Sequence, residues 1–199
     1  MRRSGRRQMQ PLILSRPSGE LVASYLQFID ELRTHGDRIW ESMVPLAGED
    51  TTEFVAGLVR AEASAVPPRV PTTTHWATIS GTVVGRGALR HELTPDLAEF
   101  GGHVSFEVRP SYRCKGVAKE MLRQILLTEK AREIGSLLVT CAPSNIGSSK
   151  TIQANGGLLV KTSFVERVSR ETNYYRIDCG RRQSQARPTL ILSQSPADG

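Results

Sequence analysis

Between an alternating run, GGHVSFEV, and a helical pattern that begins at Val117, residues 109–122 read RPSYRCKGVAKEML. Arg113 and Lys115 crowd Gly116, a residue type that lets a backbone be approached closely. A helix starting there presents unpaired N–H groups and the positive end of its dipole. That is the chemistry of anion binding, and a phosphate could accept several of those N–H bonds at once. The stretch has neither G-x-x-x-x-G-K-[ST] nor G-x-G-x-x-G, so ATP hydrolysis and dinucleotide binding are not its natural readings. A second group of polar side chains lies just upstream, where His103, Ser105 and Glu107 alternate with Val104, Phe106 and Val108. A polar row on a strand expected to be central is costly unless it meets a cleft or partners.

These residues need a frame, and the surrounding pattern supplies one. Val117, Met121, Leu122, Ile125 and Leu126 form an apolar stripe at helical spacing that runs toward Ile134 and Gly135. SLLVTCA reads as a short buried strand, so strand, helix and strand make a βαβ unit whose crossover implies parallel pairing. Upstream, LILSRP is a short strand, and Ser18 with Glu20 starts a helix carrying Leu21, Tyr25, Phe28, Ile29 and Leu32 that Gly36 ends. TTEFVAGLVRAEAS gives a second amphipathic helix through Phe54, Val55, Leu58 and Val59, broken by VPPRVP. THWATIS and TVVGRGALRH form a hairpin around Ser80 and Gly81, and TPDLAEFGG is a loop or one helical turn. Downstream, residues 145–155 make a helix capped by Ser144 or Asn145 and stopped by Asn155, Gly156 and Gly157. GLLVKTSFVER and TNYYRID close the pattern as an antiparallel hairpin.

A chain of 199 residues with 39% hydrophobic content is most economically one globular domain with a real core. The expected division is a basic disordered tail over residues 1–10, the domain over 11–179 and a flexible tail over 180–199, where LIL can dock. No run approaches the length of a membrane span, and the basic start lacks a secretory apolar stretch. Cys114, Cys141 and Cys179 are odd in number and have no metal-ligand spacing, which fits a reduced, cytoplasmic setting without a metal. The net charge of +6 arises in Arg2, Arg3, Arg6, Arg7, Arg181, Arg182 and Arg187. Between residues 8 and 180 the cations and anions number 19 each, so nucleic-acid binding would depend on the tails alone.

The spacing Arg113-x-x-Gly116-x-Ala118, with a strand before it, an apolar helix after it and then LLVTCAPSNIGSSKTIQANGG, resembles the R/Q-x-x-G-x-G/A signature of the GNAT superfamily of acyl-CoA-dependent N-acyltransferases. Within it the chain is similar, over residues 12–178, to bacterial predicted acetyltransferases of unassigned substrate. The resemblance implies an α/β GNAT fold: a mixed, largely antiparallel sheet whose central parallel strand pair splays to admit acyl-CoA, flanked by helices. Two features differ. No tyrosine occurs within residues 145–155 to protonate a leaving thiolate, and Cys114 stands where a basic residue is frequent.

The resemblance also implies that backbone N–H groups of Cys114, Lys115, Gly116, Val117 and Ala118 hold the pyrophosphate of coenzyme A, with Arg113 and Lys115 adding charge. The backbone of Phe106 and Val108 then runs beside pantetheine, and the Val108 N–H lies near the thioester oxygen, where charge develops. Asn145 suits a hydrogen bond to the pantetheine arm, or an N-cap. An attacking amine must lose a proton, for which Glu107 is the first candidate and His91 the second, structural hydrogen bonding being the alternative for both. Ser148 could help protonate the thiolate, or be a helix-surface serine. The expected partners are acetyl-CoA, as acyl donor, and an amine acceptor whose pocket the segment before Ser64 and VPPRVPTTT shape; a membrane is not expected and a homodimer is left open. Two other classes are retained: a catalytically silent acyl-CoA sensor, and a nucleic-acid binder using its arginine tails.

Overall fold

The structure, a computed structural model, describes residues 11–180. The expectations for the two arginine-bearing tails, including docking of LIL, lie outside these residues. The short strand β1 (Ile13–Ser15) leads into α1 (Gly19–Thr34), which buries Tyr25, Phe28, Ile29 and Leu32 at the expected spacing. Asp50 caps α2 (Thr51–Arg60) by accepting the Thr52 N–H; Phe54 and Val55 are buried there, but Val59 is 43% exposed, because α2 turns only one edge inward. The hairpin of β2 (Thr72–Ile79) and β3 (Thr82–Arg90) forms around Ser80 and Gly81, and a turn of helix, α3 (Pro95–Glu99), leads to β4 (Val104–Val108).

The apolar stripe after Val117 divides into α4 (Val117–Leu126) and α5 (Glu129–Ile134), instead of one run toward Gly135. Thr128 causes the break, since its hydroxyl accepts from the Ala131 N–H and caps a new helix. Then follow β5 (Ser136–Cys141), α6 (Ile146–Gln153), β6 (Leu158–Val165) and β7 (Arg170–Asp178).

Two antiparallel sheets result, ordered β1-β2-β3-β4 and β5-β7-β6. On one face of the first, α1, α2 and the 3-10 turn between them pack Tyr25, Phe28, Ile29, Met43 and Phe54 over Trp76, with the Tyr25 and Trp76 rings stacked 4.2 Å apart. On the other face, Val117, Met121, Leu122 and Ile125 of α4 and Ile152 of α6 join residues of both sheets in a single core that includes Val104, Val108, Leu137, Val139 and Tyr175. Burying such side chains contributes about 1.5–3 kcal/mol each, so α4 is the clamp between the sheets.

The strands β4 and β5, joined by the α4–α5 crossover, meet only at one end. There His103 donates its N–H to the Leu138 carbonyl at 2.7 Å, and its Nδ1 accepts the Leu138 N–H at 2.9 Å. Gly102, at φ +65°, lies so near β5 that a Cβ would stand 2.5 Å from the Leu138 oxygen. Beyond this clip no ladder joins the two strands: β4 and β5 are edges of separate antiparallel sheets, and the bridge between Gly102 and Val139 is antiparallel, where the crossover predicted a parallel pair.

Three histidines make this fold acid-sensitive. Burial, then the Arg16 charge, brings His75 from its ordinary 6.5 down to about 4, and burial also lowers His103 and His91. Below pH 6.5 the unfolded chain therefore binds more protons than the folded one. Their stabilising contribution is complete above that value and is lost as pH falls through each group's folded pKa, which for His75 is about 4, by up to roughly 1.4 kcal/mol per pH unit for each depressed group. Urea melts taken between about pH 7.5 and pH 5 should show a falling midpoint; a flat midpoint would contradict this acid sensitivity.

Among the described residues no helix is long and apolar enough to cross a membrane, and no group of three or more His, Cys, Asp or Glu could hold a metal ion.

Candidate active site

The loop leaving β4 is fixed from outside before it reaches α4. Glu31 of α1 accepts Arg109 Nε at 2.5 Å and the Ser111 N–H at 2.6 Å, holding the 3-10 turn Pro110–Tyr112 against the helix. Arg113 then bonds three ways: Nε to the Val108 carbonyl at 3.1 Å, one terminal nitrogen to Asp37 at 2.8 Å, and the other against His35 Nδ1 at 3.2 Å. The guanidinium expected to add charge to an anion site is instead the strut of the loop. Lys115 reaches back to the Ser111 carbonyl at 2.7 Å.

What this scaffold presents is backbone. Cys114 at φ +58° and Gly116 at φ +81° are both left-handed, a pattern that shapes anion-binding concavities. Gly116 is the N-cap of α4 and supplies no side-chain partner to the helix. The N–H groups of residues 114–119 have no protein acceptor among the described residues. A Cβ on Gly116 would meet nothing within 4 Å, so the protein keeps open space before the helix end. A pyrophosphate fits this set of donors.

The edge of β4 continues the same surface. Arg90 donates to the His103 carbonyl at 2.7 Å and Arg109 to the Val84 carbonyl at 2.8 Å. With the register Arg86↔Glu107 between them, alternation turns the Phe106 and Val108 N–H groups away from β3, into the gap toward β5. An extended chain carrying amide groups, such as pantetheine, can pair with that free edge.

Of the polar row, His103 is bonded to β5, while Glu107 lies on the α1 side beside Tyr25. Glu107 pairs with Arg86 at 3.3 Å, side chains 18% and 5% exposed, and Arg86 Nε is buried without a partner. Glu107 engages Arg86 through Oε2, leaving Oε1 without a partner among the described residues. Tyr25 lies beside the pair; burial, with Glu107 opposing Arg86, holds its phenol well above the ordinary range. Tyr25 donates to the Met43 carbonyl at 2.8 Å, so residues 40–43 stand over the Arg86–Glu107 pair.

On the β5 side, Asn145 is the N-cap of α6 and accepts the Ser148 N–H through Oδ1 at 3.0 Å, which leaves its amide NH2 for another partner. The Ser148 hydroxyl has no partner among the described residues. Its neighbour Ser149 does: Tyr175 OH donates to Ser149 Oγ at 3.1 Å, and Ser149 Oγ lies 3.4 Å from Cys141 Sγ. Behind Tyr175, Asn173 Nδ2 donates to the phenol at 3.3 Å and Thr162 donates to Asn173 Oδ1 at 2.7 Å. Sequence reading missed this relay, because Tyr175 comes from the last strand and only the 3.6 period of α6, which points Ser149 and Ile152 inward, could have hinted at it.

His91 belongs elsewhere. It lies beyond the far end of β3, five residues past Arg86 and roughly 17 Å along the strand, with Nε2 2.8 Å from Thr73 Oγ1. The structure places Phe106, Glu107 and Val108 on the strand that runs into the loop from Cys114 to Ala118, and ties the far end of α6 to α4 through Asn155 Nδ2, which donates to the Lys119 carbonyl at 3.2 Å; His91 lies apart.

Comparison with known proteins agrees with this geometry. No curated protein matches the chain. Among solved structures it is similar to yncA of Salmonella typhimurium, determined with acetyl-CoA (TM-score 0.57, 14% identity, 90% of this chain and 98% of that one). It is likewise similar to the Microcin C7 self immunity acetyltransferase MccE, in complex with acetyl-CoA and AMP (0.60, 12%, 84% and 92%). An N-acetyltransferase from Staphylococcus aureus Mu50 gives TM-score 0.59 at 16% identity, over 85% and 99% of the two chains. At such identities the likeness establishes the fold. The model of the acetyltransferase (GNAT) family matches residues 37–156, a span containing the β4 edge, the left-handed loop and α6. This chain therefore belongs to the GNAT family of acetyltransferases.

Proposed function

We propose that the protein transfers the acetyl group of acetyl-CoA to a primary amine of a small molecule or peptide by direct attack. The observation that carries this reading is the continuity of unengaged N–H groups, from residues 114–119 at the α4 end to Val108 at the free edge of β4. Bound acetyl-CoA supplies an activated thioester. The loop N–H groups of Cys114, Lys115, Gly116, Val117 and Ala118 hold its pyrophosphate, the edges of Phe106 and Val108 align its pantetheine, and Asn145 Nδ2 donates to the same arm. Val108 N–H faces the thioester oxygen, where negative charge grows as the amine nitrogen bonds to carbon.

Glu107 Oε1, directly or through water, accepts the proton the nitrogen gives up. The C–S bond breaks, and the departing sulfur takes a proton from Ser149, which Tyr175 OH replenishes. Ser149 replaces Ser148 in this role, because only Ser149 has a donor behind it. One C–N bond forms and one C–S bond breaks; Glu107 then gives its proton to solvent and Tyr175 recovers one from solvent, so that the net proton passes from nitrogen to sulfur.

Ser149→Ala should lower turnover about tenfold or more while acetyl-CoA affinity stays within about twofold, and Ser148→Ala should change neither. Steady-state kinetics beside calorimetric titration check this, and equal turnover in both variants would remove Ser149. The test of the proposal itself is thiol release from acetyl-CoA across a panel of primary amines and short peptides. Release that rises with one class of amine supports it; release indifferent to every amine contradicts it.

A further inference from the structure

A recess formed by the segment between Asp37 and Met43 has a chemical character of its own. It measures about 450 Å³ and is lined by Arg38, Ile39, Trp40, Glu41, Ser42 and Arg69. Its position follows from both ends of the segment that builds it. Asp37, next to Arg38, is the partner of Arg113 in the loop before α4, at 2.8 Å. Met43, next to Ser42, receives the Tyr25 hydroxyl beside Arg86 and Glu107. The segment thus bridges the proposed pyrophosphate loop and the proposed base.

Its charge is uncompensated. Arg38 sits over the Trp40 ring, guanidinium carbon 3.8 Å from the centroid, and its N–H groups meet no acceptor among the described residues. Neither Arg38 nor Arg69 meets a carboxylate among the described residues, whereas Arg16, Arg60, Arg109, Arg113 and Arg123 each do. Glu41 is the one acid lining the recess, so two guanidinium groups outweigh it. Trp40, 40% exposed, adds an apolar surface that the core does not use.

Resting on the acetyl-transfer reading above, we infer that the acceptor is an anionic amine: a molecule whose primary amine reaches Glu107 while a carboxylate or phosphate elsewhere in it is held by Arg38 and Arg69 against Trp40. Planar forks recognise such groups in bidentate fashion, and each charge-assisted contact is worth a tenfold or greater preference. An amine lacking the acid would leave both forks without a partner and forfeit its positioning.

The test uses thiol release from acetyl-CoA with amines in matched pairs, each a dipeptide carboxylate and its C-terminal amide, and each amino-alkyl phosphate and its alcohol. Calorimetric titration of the same pairs into the CoA-saturated protein gives a readout independent of turnover. For the wild type, the anionic member of at least one pair should show kcat/KM and affinity about tenfold or more above the neutral member. In Arg38→Gln/Arg69→Gln that advantage should fall to within about twofold, with acetyl-CoA affinity unchanged. Both side chains are exposed, so the variant should keep its melt. Neutral amines accepted equally well, or an anionic preference that survives in the double variant, would overturn the inference while leaving acetyl transfer standing. A wild-type protein that binds acetyl-CoA and releases thiol with no amine would overturn both. Which pairs respond distinguishes carboxylate from phosphate.

Discussion

Gly116→Val should weaken acetyl-CoA binding at least about a hundredfold and leave the protein folded. Gly116 sits at φ +81°, left-handed, and opens onto space that no protein atom occupies within 4 Å of a would-be Cβ. A β-branched side chain there projects in front of the α4 N–H groups, into the region assigned to pyrophosphate. Each charge-assisted N–H bond to the ligand is worth roughly 1.5–3 kcal/mol, and removing two of them gives the hundredfold figure. The left-handed conformation also costs valine about 1–2 kcal/mol, a shift of several degrees in Tm for a chain this long. Gly116→Ala separates the two effects, since it carries similar backbone strain with far less bulk and should keep most of the affinity. Calorimetric titration with acetyl-CoA, beside circular dichroism melts, measures both. A folded valine variant with wild-type affinity would mean that the loop is only a turn.

The second large effect concerns Glu107, where stability and chemistry are entangled. Glu107→Gln removes the charge opposite Arg86, a guanidinium only 5% exposed whose Nε already lacks a partner. An uncompensated buried charge costs about 3 kcal/mol or more, so the single variant should melt well below the wild type. Its turnover should fall about a hundredfold, most of all below the pKa of the amine, where deprotonation limits the rate. Arg86→Met/Glu107→Met resolves the ambiguity. Replacing a buried ion pair by apolar side chains of similar volume is close to neutral, so this double variant should recover most of the stability and none of the turnover. Recovery of both would make Glu107 a structural partner of Arg86 and leave deprotonation to water.

The order of elements and the place of the loop are legible in the chain because local rules dictate them. Period-two alternation marks β4, the stripe from Val117 to Ile125 marks α4, and a glycine between them marks the turn. Where a local rule has a competitor, the sequence misleads. Ala131 of α5 lies buried as the α4 stripe continues, so periodicity cannot reveal that the Thr128 cap restarts the helix. Side-chain partnerships are out of reach altogether. Arg113 finds Asp37, Glu31 finds Arg109 and Ser111, and Tyr175 finds Ser149 across separations that no spacing encodes. Each such pair is set by how α1 and β7 pack on the β4–α4 frame, a tertiary outcome. His91 has the chemistry of a base, but the length of strand between it and Arg86 removes it from the site.

The central claim is acetyl transfer from acetyl-CoA to an amine nitrogen. Acetyl-CoA carrying an isotopic label in its carbonyl carbon, incubated with the protein and a panel of primary amines and followed by NMR, tests it most directly. The label is predicted to appear in an N-acetyl amide at the rate at which free thiol is released, and Gly116→Val to lower both together at sub-saturating acetyl-CoA. Label found only in free acetate, or retained on CoA while the protein binds it tightly in the presence of every amine, would contradict it.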